Sequence, residues 1–302
     1  MIENIHNNAL TWYHIVNPSD IDISFLQENF NFHPLDLEDL RSKTQRPKLD
    51  EYDDYYFIIL HFPIFDKAYR FIRTSEVKVF WGKDYIITIA NSHWIVRNLF
   101  NSTKENEKIR EEMMSKSSDI LLYEILDRLL MESFSLVTRL GEEVELINSE
   151  LFRKRAERTI ERISVTRRNI IMLDTIFKPQ LRLFHKFESG DVSGYADEME
   201  EYWGDILDKY QKIWDLTEDY EEIVEGLSKT FDSLQTNRTN EIMKILTLIS
   251  SILLPLTLIA SIYGMNIVLP FQSHPYAFWI VACSMAVIVI SLIVYFKRKN
   301  YM

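Results

Sequence analysis

Ile245–Ile262 reads ILTLISSILLPLTLIASI; Tyr263-Gly264-Met265-Asn266 follows it, and Ala277–Phe296 reads AFWIVACSMAVIVISLIVYF. A bilayer core about 30 Å thick takes roughly 20 apolar residues of α-helix. Both runs approach that length, and neither carries a formal charge. About fourteen residues separate them, so they are expected to form a tight helical hairpin across a membrane. Everything before Ile245 is then the soluble part that the hairpin serves.

Composition agrees with a small membrane part. Of 302 residues 47% are hydrophobic, and the mean hydropathy is only −0.13. The net charge of −11 argues against a nucleic-acid partner, which would call for a basic face. One cysteine, Cys283, lies inside the second run. A disulfide framework, a cysteine-ligated zinc site and a cysteine nucleophile are therefore disfavoured. Met1 to Leu10 holds Glu3, His6, Asn7 and Asn8 where the apolar core of a signal peptide would lie. The N-terminal part is accordingly expected in the cytosol. Arg238 and Lys244 precede the first run, and Lys297, Arg298 and Lys299 follow the second, while the intervening loop has neither Lys nor Arg. By the positive-inside rule both termini are cytosolic, and the chain is an integral protein of the cell (inner or plasma) membrane.

Upstream, the first hundred residues alternate strand and helix signals. Leu10–Val16, Tyr55–Phe62, Tyr69–Thr74, Glu76–Phe80 and Tyr85–Ala90 read as strands. Pro18–Phe30 and the stretch from His33 read as helices, with proline and acids suited to a first helical turn. After about Ser92 the pattern turns helical, with Ile120, Leu121, Ile125, Leu129, Phe134, Val137, Leu140, Val144 and Ile147 at three- and four-residue steps. Arg153, Lys154, Arg155, Glu157, Glu161 and Arg162 mix both signs and read as a solvated helix face. Pro179 interrupts a further helix, and Glu188–Gly194 is the clearest loop.

The expected organisation is an α/β domain over 1–92, a helical region over 93–194, and a long stalk helix over 195–263 that becomes the first span at about 245–262. A loop over 264–276, a second span over 277–296 and a basic tail over 297–302 complete it. The fold class is thus α+β with two C-terminal transmembrane helices. A helix over 195–263 would be about 100 Å long and needs neighbours to be stable.

Polar residues on the first span fall on one face. Steps of three and four from Asn240 give Met243, Leu246 or Thr247, Ser250, Leu254, Thr257 and Ser261. Two readings fit: a seam between packed helices, or a water-accessible pore wall. One such face encloses a pore only when several copies surround an axis. With no ionisable group in either span, a proton relay is disfavoured. Pro255 removes one helical hydrogen bond at mid-membrane.

Thr239-Asn240-Glu241-Ile242-Met243-Lys244, Leu254-Pro255-Leu256-Thr257 and Tyr263-Gly264-Met265-Asn266 resemble the CorA family of magnesium transporters, whose signature is Gly-Met-Asn at the outer end of the penultimate membrane helix. His33-Pro34-Leu35 and Gln45-Arg46-Pro47-Lys48 also resemble the family's N-terminal domain, so the similarity runs from about Phe32 to the C-terminus. The resemblance implies a funnel-shaped homopentamer whose stalk helices line a pore, with Gly264, Met265 and Asn266 as the outer mouth. It also implies that Asn240, Met243, Leu246, Leu254, Thr257 and Ser261 line the pore. Met243, Leu246 and Leu254 would then close it by dewetting, and Thr257 and Asn240 would offer oxygen to a hydrated ion. It further implies a regulatory divalent-cation site between subunits, with Asp66 and Asp205 as its paired acids.

Two departures from the family pattern stand out. Ile267–Tyr276 contains no Asp or Glu; Gln272 and His274 stand where an acid could. Lys229 stands where relatives carry a pore-facing Asp, so either it points outward or the helical register differs there.

The leading expectation is a channel for passive Mg2+ influx, gated by cytosolic Mg2+, driven by a potential worth about 2.3 kcal/mol per charge per 100 mV. Nothing resembles a nucleotide-binding loop, so no nucleotide is expected. A Co2+, Ni2+ or Zn2+ transporter on the same scaffold is the nearest alternative. A membrane-anchored coiled-coil interaction protein is the alternative from another class, but it leaves the polar stripe and Asn266 without a purpose. An enzyme is disfavoured because His6, His14, His33, His61, His93, His185 and His274 are scattered.

Overall fold

The computed structural model describes residues 2–42, 44–91, 93–151, 156–196, 198–267 and 274–299. The chain divides into two compact units, Met1–Ser228 and Lys229–Met302. The basic run Arg153–Arg155, the side chain of Glu157, and Gln272 lie outside the described residues.

The first unit is built on a six-stranded mixed sheet. Its strands are β1 (Ile2–Asn7), β2 (Leu10–Ile15), β3 (Lys48–Glu51), β4 (Tyr55–Asp66), β5 (Phe71–Gly82) and β6 (Tyr85–Ile89), in the order β1-β2-β6-β5-β4-β3. Only β2 and β6 pair in parallel, with Trp12 opposite Ile86; the other pairs are antiparallel. Helices α1 (Asp20–Asn29) and α2 (Pro34–Arg41) cover one face. Ile23, Leu26, Leu37 and Leu40 pack there against Ile15, Tyr55, Phe57, Ile59, Phe80, Ile87 and Ile89. The alternate residues Trp12, Ile58, Leu60, Phe62, Val79, Trp81 and Ile86 are equally buried. On their side lie α3 (Trp94–Glu105), α4 (Glu107–Met114), α5 (Ser118–Glu150) and α6 (Ala156–Phe177), of which α5 and α6 contact β4 and β5. With both faces buried, β4 reads as a continuous apolar run and not as an alternating one.

Several boundaries differ from expectation. The strands expected over Tyr69–Thr74 and Glu76–Phe80 are one strand, β5. Its polar middle is satisfied in place: Ser75 is buried opposite Phe62. Glu76 accepts from the Gln45 amide at 2.7 Å and pairs with Lys78 at 2.9 Å. Strands β1 and β3 escaped notice because they are short and polar, and β1 buries only Ile5. At Pro179 the helix is interrupted as expected, by a 3-10 turn at Lys178–Gln180 that leads into α7 (Leu181–Glu188). The long helix α8 then spans Glu200–Tyr263, starting five residues later than expected. The preceding loop is pinned instead: Tyr195 donates its amide to Asp119 Oδ1 at 2.8 Å, and Gly194 has φ +63° with no room for a Cβ beside that oxygen. That conformation suits glycine alone at no steric cost.

In the second unit, α8 continues unbroken through Pro255, and α9 spans Ala277–Arg298. Both helices are long and apolar enough to cross a membrane.

Candidate functional site

The candidate site lies on the membrane-length part of α8 and the turn that ends it. Half-buried residues trace one face of that segment, Leu248, Ser251, Ile252, Pro255, Leu256 and Ile259. On α9 the half-buried residues are Ala277, Val281, Ala282, Met285, Ile288, Val289, Leu292 and Phe296. Both sets follow three- and four-residue steps, as the two sides of a helical hairpin do. The residues expected to line a pore are not among them. Asn240, Met243, Leu246, Ser250, Leu254, Thr257 and Ser261 are all exposed, Leu254 to 68%. The polar stripe is therefore not the seam between α8 and α9.

Its hydroxyls are already oriented. Thr257 Oγ1 donates to the Leu253 carbonyl at 2.9 Å, and Thr247 Oγ1 to the Met243 carbonyl at 2.7 Å. With its proton committed to the helix, Thr257 presents its oxygen only as an acceptor. A water held by a cation turns its hydrogens outward and meets such an acceptor well. Pro255 supplies no N–H, which leaves the carbonyl of Ser251 without its intrahelical donor.

At the end of α8 the winding tightens. Gly264 donates its amide to the Ala260 carbonyl at 2.9 Å, and Met265 to that of Ile262 at 3.2 Å. A Cβ on Gly264 would sit 3.1 Å from the Ala260 oxygen, closer than such contacts tolerate without a shift. A side chain here would be crowded against that oxygen and would call for a shift of a few tenths of an ångström, at a φ that other residues would accept. Met265 and Asn266 follow, both exposed. Across the loop, His274 Nδ1 accepts from the Tyr276 amide at 3.3 Å, and its carbonyl accepts from Ala277. One of the loop's two expected polar groups is therefore spent on starting α9.

Lys229 is exposed. α8 is unbroken between it and Asn240, so the two stand in one continuous helical frame. About three helical turns bring Lys229 to within roughly 20° of the Asn240 face.

The two acids expected to bind a regulatory ion are each engaged within their own chain. In the β4–β5 turn, Asp66 Oδ1 accepts from the amides of Ala68 and Tyr69 at 2.9 and 3.2 Å, and Oδ2 pairs with Arg73 at 3.1 Å. Asp205, on the first turns of α8, accepts from the Tyr123 hydroxyl at 2.8 Å and pairs with Lys209 at 2.5 Å. Lys209 also reaches Asp127 on α5 at 2.6 Å. Partial burial alone would raise the Asp205 carboxyl, but the bonds from Lys209 and Tyr123 outweigh it and hold the pKa below its usual range. Among the described residues no group of three His, Cys, Asp or Glu gathers around a point. Tyr123, Asp127 and Lys209 were missed from sequence. The spacing of Asp205 and Lys209, four apart on a helix, was the one legible signal.

Residues 7–298 match the family of CorA-like Mg2+ transporter proteins. The chain is 29% identical to the cobalt/magnesium transport protein CorA of Thermotoga maritima, over 97% of this chain and 83% of that one. It is 22% identical to the CorA of Methanocaldococcus jannaschii over 97% of this chain and 91% of the relative. The solved complete structure of the CorA magnesium transporter from that organism superposes with a TM-score of 0.83, covering 99% of this chain and 93% of that chain at 22% identity. With the mixed sheet, the unbroken α8 and the Gly-Met-Asn turn before α9 in the matched span, the chain belongs to the CorA-like Mg2+ transporter family.

Proposed function

We propose that this chain is the subunit of a channel that carries Mg2+ passively across the cell membrane, and that the polar stripe of α8 lines its path. One observation carries the reading: the stripe from Asn240 to Ser261 lies on the face of α8 that α9 leaves open. A coiled-coil tether has no use for an exposed polar stripe at membrane depth, where unsatisfied polar groups are costly. One helix face encloses nothing, so the pore requires several copies about an axis. A homopentamer is the assembly that the family resemblance supports.

Mg2+ parts with its water reluctantly, so a filter that binds the hydrated ion avoids most of the dehydration cost. The Asn266 amide oxygen and the Thr257 hydroxyl oxygen accept hydrogen bonds from the ion's waters. Neutral acceptors hold a divalent ion weakly enough for it to leave, as conduction requires. Met243, Leu246 and Leu254 form apolar rings that close the path when they lose water. The membrane potential drives inward flow at about 2.3 kcal/mol per charge per 100 mV, with the first unit and both termini in the cytosol. The roles of 1–92 and 93–194 as a cytosolic domain, and of 195–263 as the stalk, follow from the same orientation.

Regulation by cytosolic Mg2+ at Asp66 and Asp205 of adjacent subunits is part of the proposal. An ion there competes with Arg73 and Lys209, so closure calls for a higher concentration than two unpaired carboxylates would need. Co2+, Ni2+ and Zn2+ are the alternative cargo. The test is uptake into proteoliposomes of the purified chain under an imposed potential, with those ions as competitors. We expect Mg2+ uptake that Asn266→Ala lowers at least tenfold. Equal uptake by wild type and variant would remove the mouth, and absence of any divalent flux would remove the channel.

A further inference from the structure

Between the β4–β5 turn, α5 and α6 lies an open cleft of about 510 Å³ that the transport reading does not use. That volume suits a small organic ligand. Three arginines from three elements line it: Arg70 from the turn, Arg139 from α5 and Arg158 from α6. None of the three has an acidic partner among the described residues. A fourth, Arg162, is committed to Glu143 at 2.8 Å and Glu150 at 2.6 Å. That pairing also neutralises Glu143, and leaves Glu161 as the one lining acid without a cation among the described residues.

The floor is polar and buried. Thr166 is 1% exposed and Asn169 6%, and both border the cleft. Asn169 Oδ1 accepts from the Ile72 amide at 2.9 Å. The Thr166 hydroxyl makes no hydrogen bond within the chain among the described residues, so its donor is available to the cleft that it borders. Apolar surface completes the wall. Phe65 lies under the Arg139 guanidinium at 5.5 Å, a cation–π contact that leaves the guanidinium's N–H donors uncommitted.

Guanidinium forks match the oxygens of phosphate groups, and three forks suit a group with three terminal oxygens. Glu161 would repel a second anionic group and would accept hydrogen bonds from hydroxyl or amino donors. We propose that the cleft binds a phosphate monoester whose apolar or aromatic body carries such donors, of the nucleoside monophosphate kind. The phosphate lies among Arg70, Arg139 and Arg158, the Thr166 hydroxyl donates to it, and the body lies along Phe65 towards Glu161. Arg70 and Asp66 share one turn, so an occupant of the cleft also steadies the segment that carries Asp66.

The experiment is calorimetric titration of the full-length protein in detergent with AMP, inorganic phosphate and adenosine, at low salt with EDTA. We expect AMP to bind, and phosphate and adenosine to bind at least tenfold more weakly. The Arg139→Gln/Arg158→Gln double variant lowers AMP affinity at least tenfold, and Thr166→Val lowers it severalfold with an unchanged thermal midpoint. Absence of AMP binding at millimolar concentration, or equal affinity in wild type and both variants, overturns the proposal. So does a double variant that changes oligomeric state when wild type binds no AMP, which assigns the cleft to a contact between copies. The titration involves no ion gradient, so its outcome is independent of the transport reading.

Discussion

The two units solve the problem of apolar surface in opposite ways. In Met1–Ser228 the sheet is covered on both faces, and Trp81, Phe57 and Ile58 are fully buried. In Lys229–Met302 the large apolar side chains face outward: Leu254 is 68% exposed, Phe278 73% and Val287 66%. Apolar patches of that extent on an isolated chain mark a surface meant for lipid or for other copies. The first unit therefore carries its own apolar core, whereas the second presents its apolar surface outward, as helices that cross a membrane do. The same contrast governs charge. Half-buried carboxylates in the first unit are matched by Lys48, Lys78, Arg162 and Lys209, while the two spans hold no Asp, Glu, Lys or Arg before Lys297.

Truncation should separate the units most sharply. Trp81 stacks on Tyr56 and donates to Ser118. Trp81→Ala is expected to cost about 3–5 kcal/mol, read as a lower denaturation midpoint of the first unit. Leu254→Ala, by contrast, should leave the midpoint unchanged and raise basal Mg2+ flux by widening the proposed apolar ring. A loss of stability from Leu254→Ala as large as that from Trp81→Ala would dissolve the contrast.

Acid should act on the first unit alone. Burial pushes both His14 and His93 down to about 4. Unfolded, each titrates near 6.5, so between pH 6.5 and 4 the unfolded chain binds more protons than the folded one. Stability contributed by keeping these rings neutral is present in full above pH 6.5 and falls as the pH drops through that window, at up to about 1.4 kcal/mol per pH unit for each. Replacing both with a neutral isostere such as Asn should flatten the pH dependence of the melting temperature. An unchanged slope would trace it to other groups.

Smaller effects sharpen the role of the acids. Lys209→Met releases Asp205 and Asp127 from their ammonium. Half-closure should then need about fivefold less cytosolic Mg2+, measured as inhibition of uptake; unchanged inhibition would exclude Asp205 from the sensor. Smallest of all, Lys229→Gln should raise Mg2+ uptake by less than tenfold, with the gain shrinking as salt rises. No gain at low salt would mean that the lysine stands off the path.

What could be read from the sequence follows the same division. A bilayer dictates length and composition, so both spans and the turn at Gly264–Asn266 were legible from residues alone. Long-range partners leave no such mark. Ser75 and Glu76 looked like a break between strands because Phe62, opposite Ser75, and Gln45, whose amide donates to Glu76, lie elsewhere in the chain. The start of α8 was placed too early because the bond from Tyr195 to Asp119 spans 76 positions. Of the groups around Asp205, only Lys209 stood at a helical spacing; Asp127 and Tyr123 arrive through the packing of α5.

The central claim is that one face of α8 borders water. Single cysteines at Ser250, Thr257 and Val287, introduced in a Cys283→Ser background, test it through block of Mg2+ uptake by a membrane-impermeant thiol reagent. Cysteine at 250 and 257 should confer block, and cysteine at 287, exposed on α9, should not. Block at 287 with none at 250 or 257 would contradict the account.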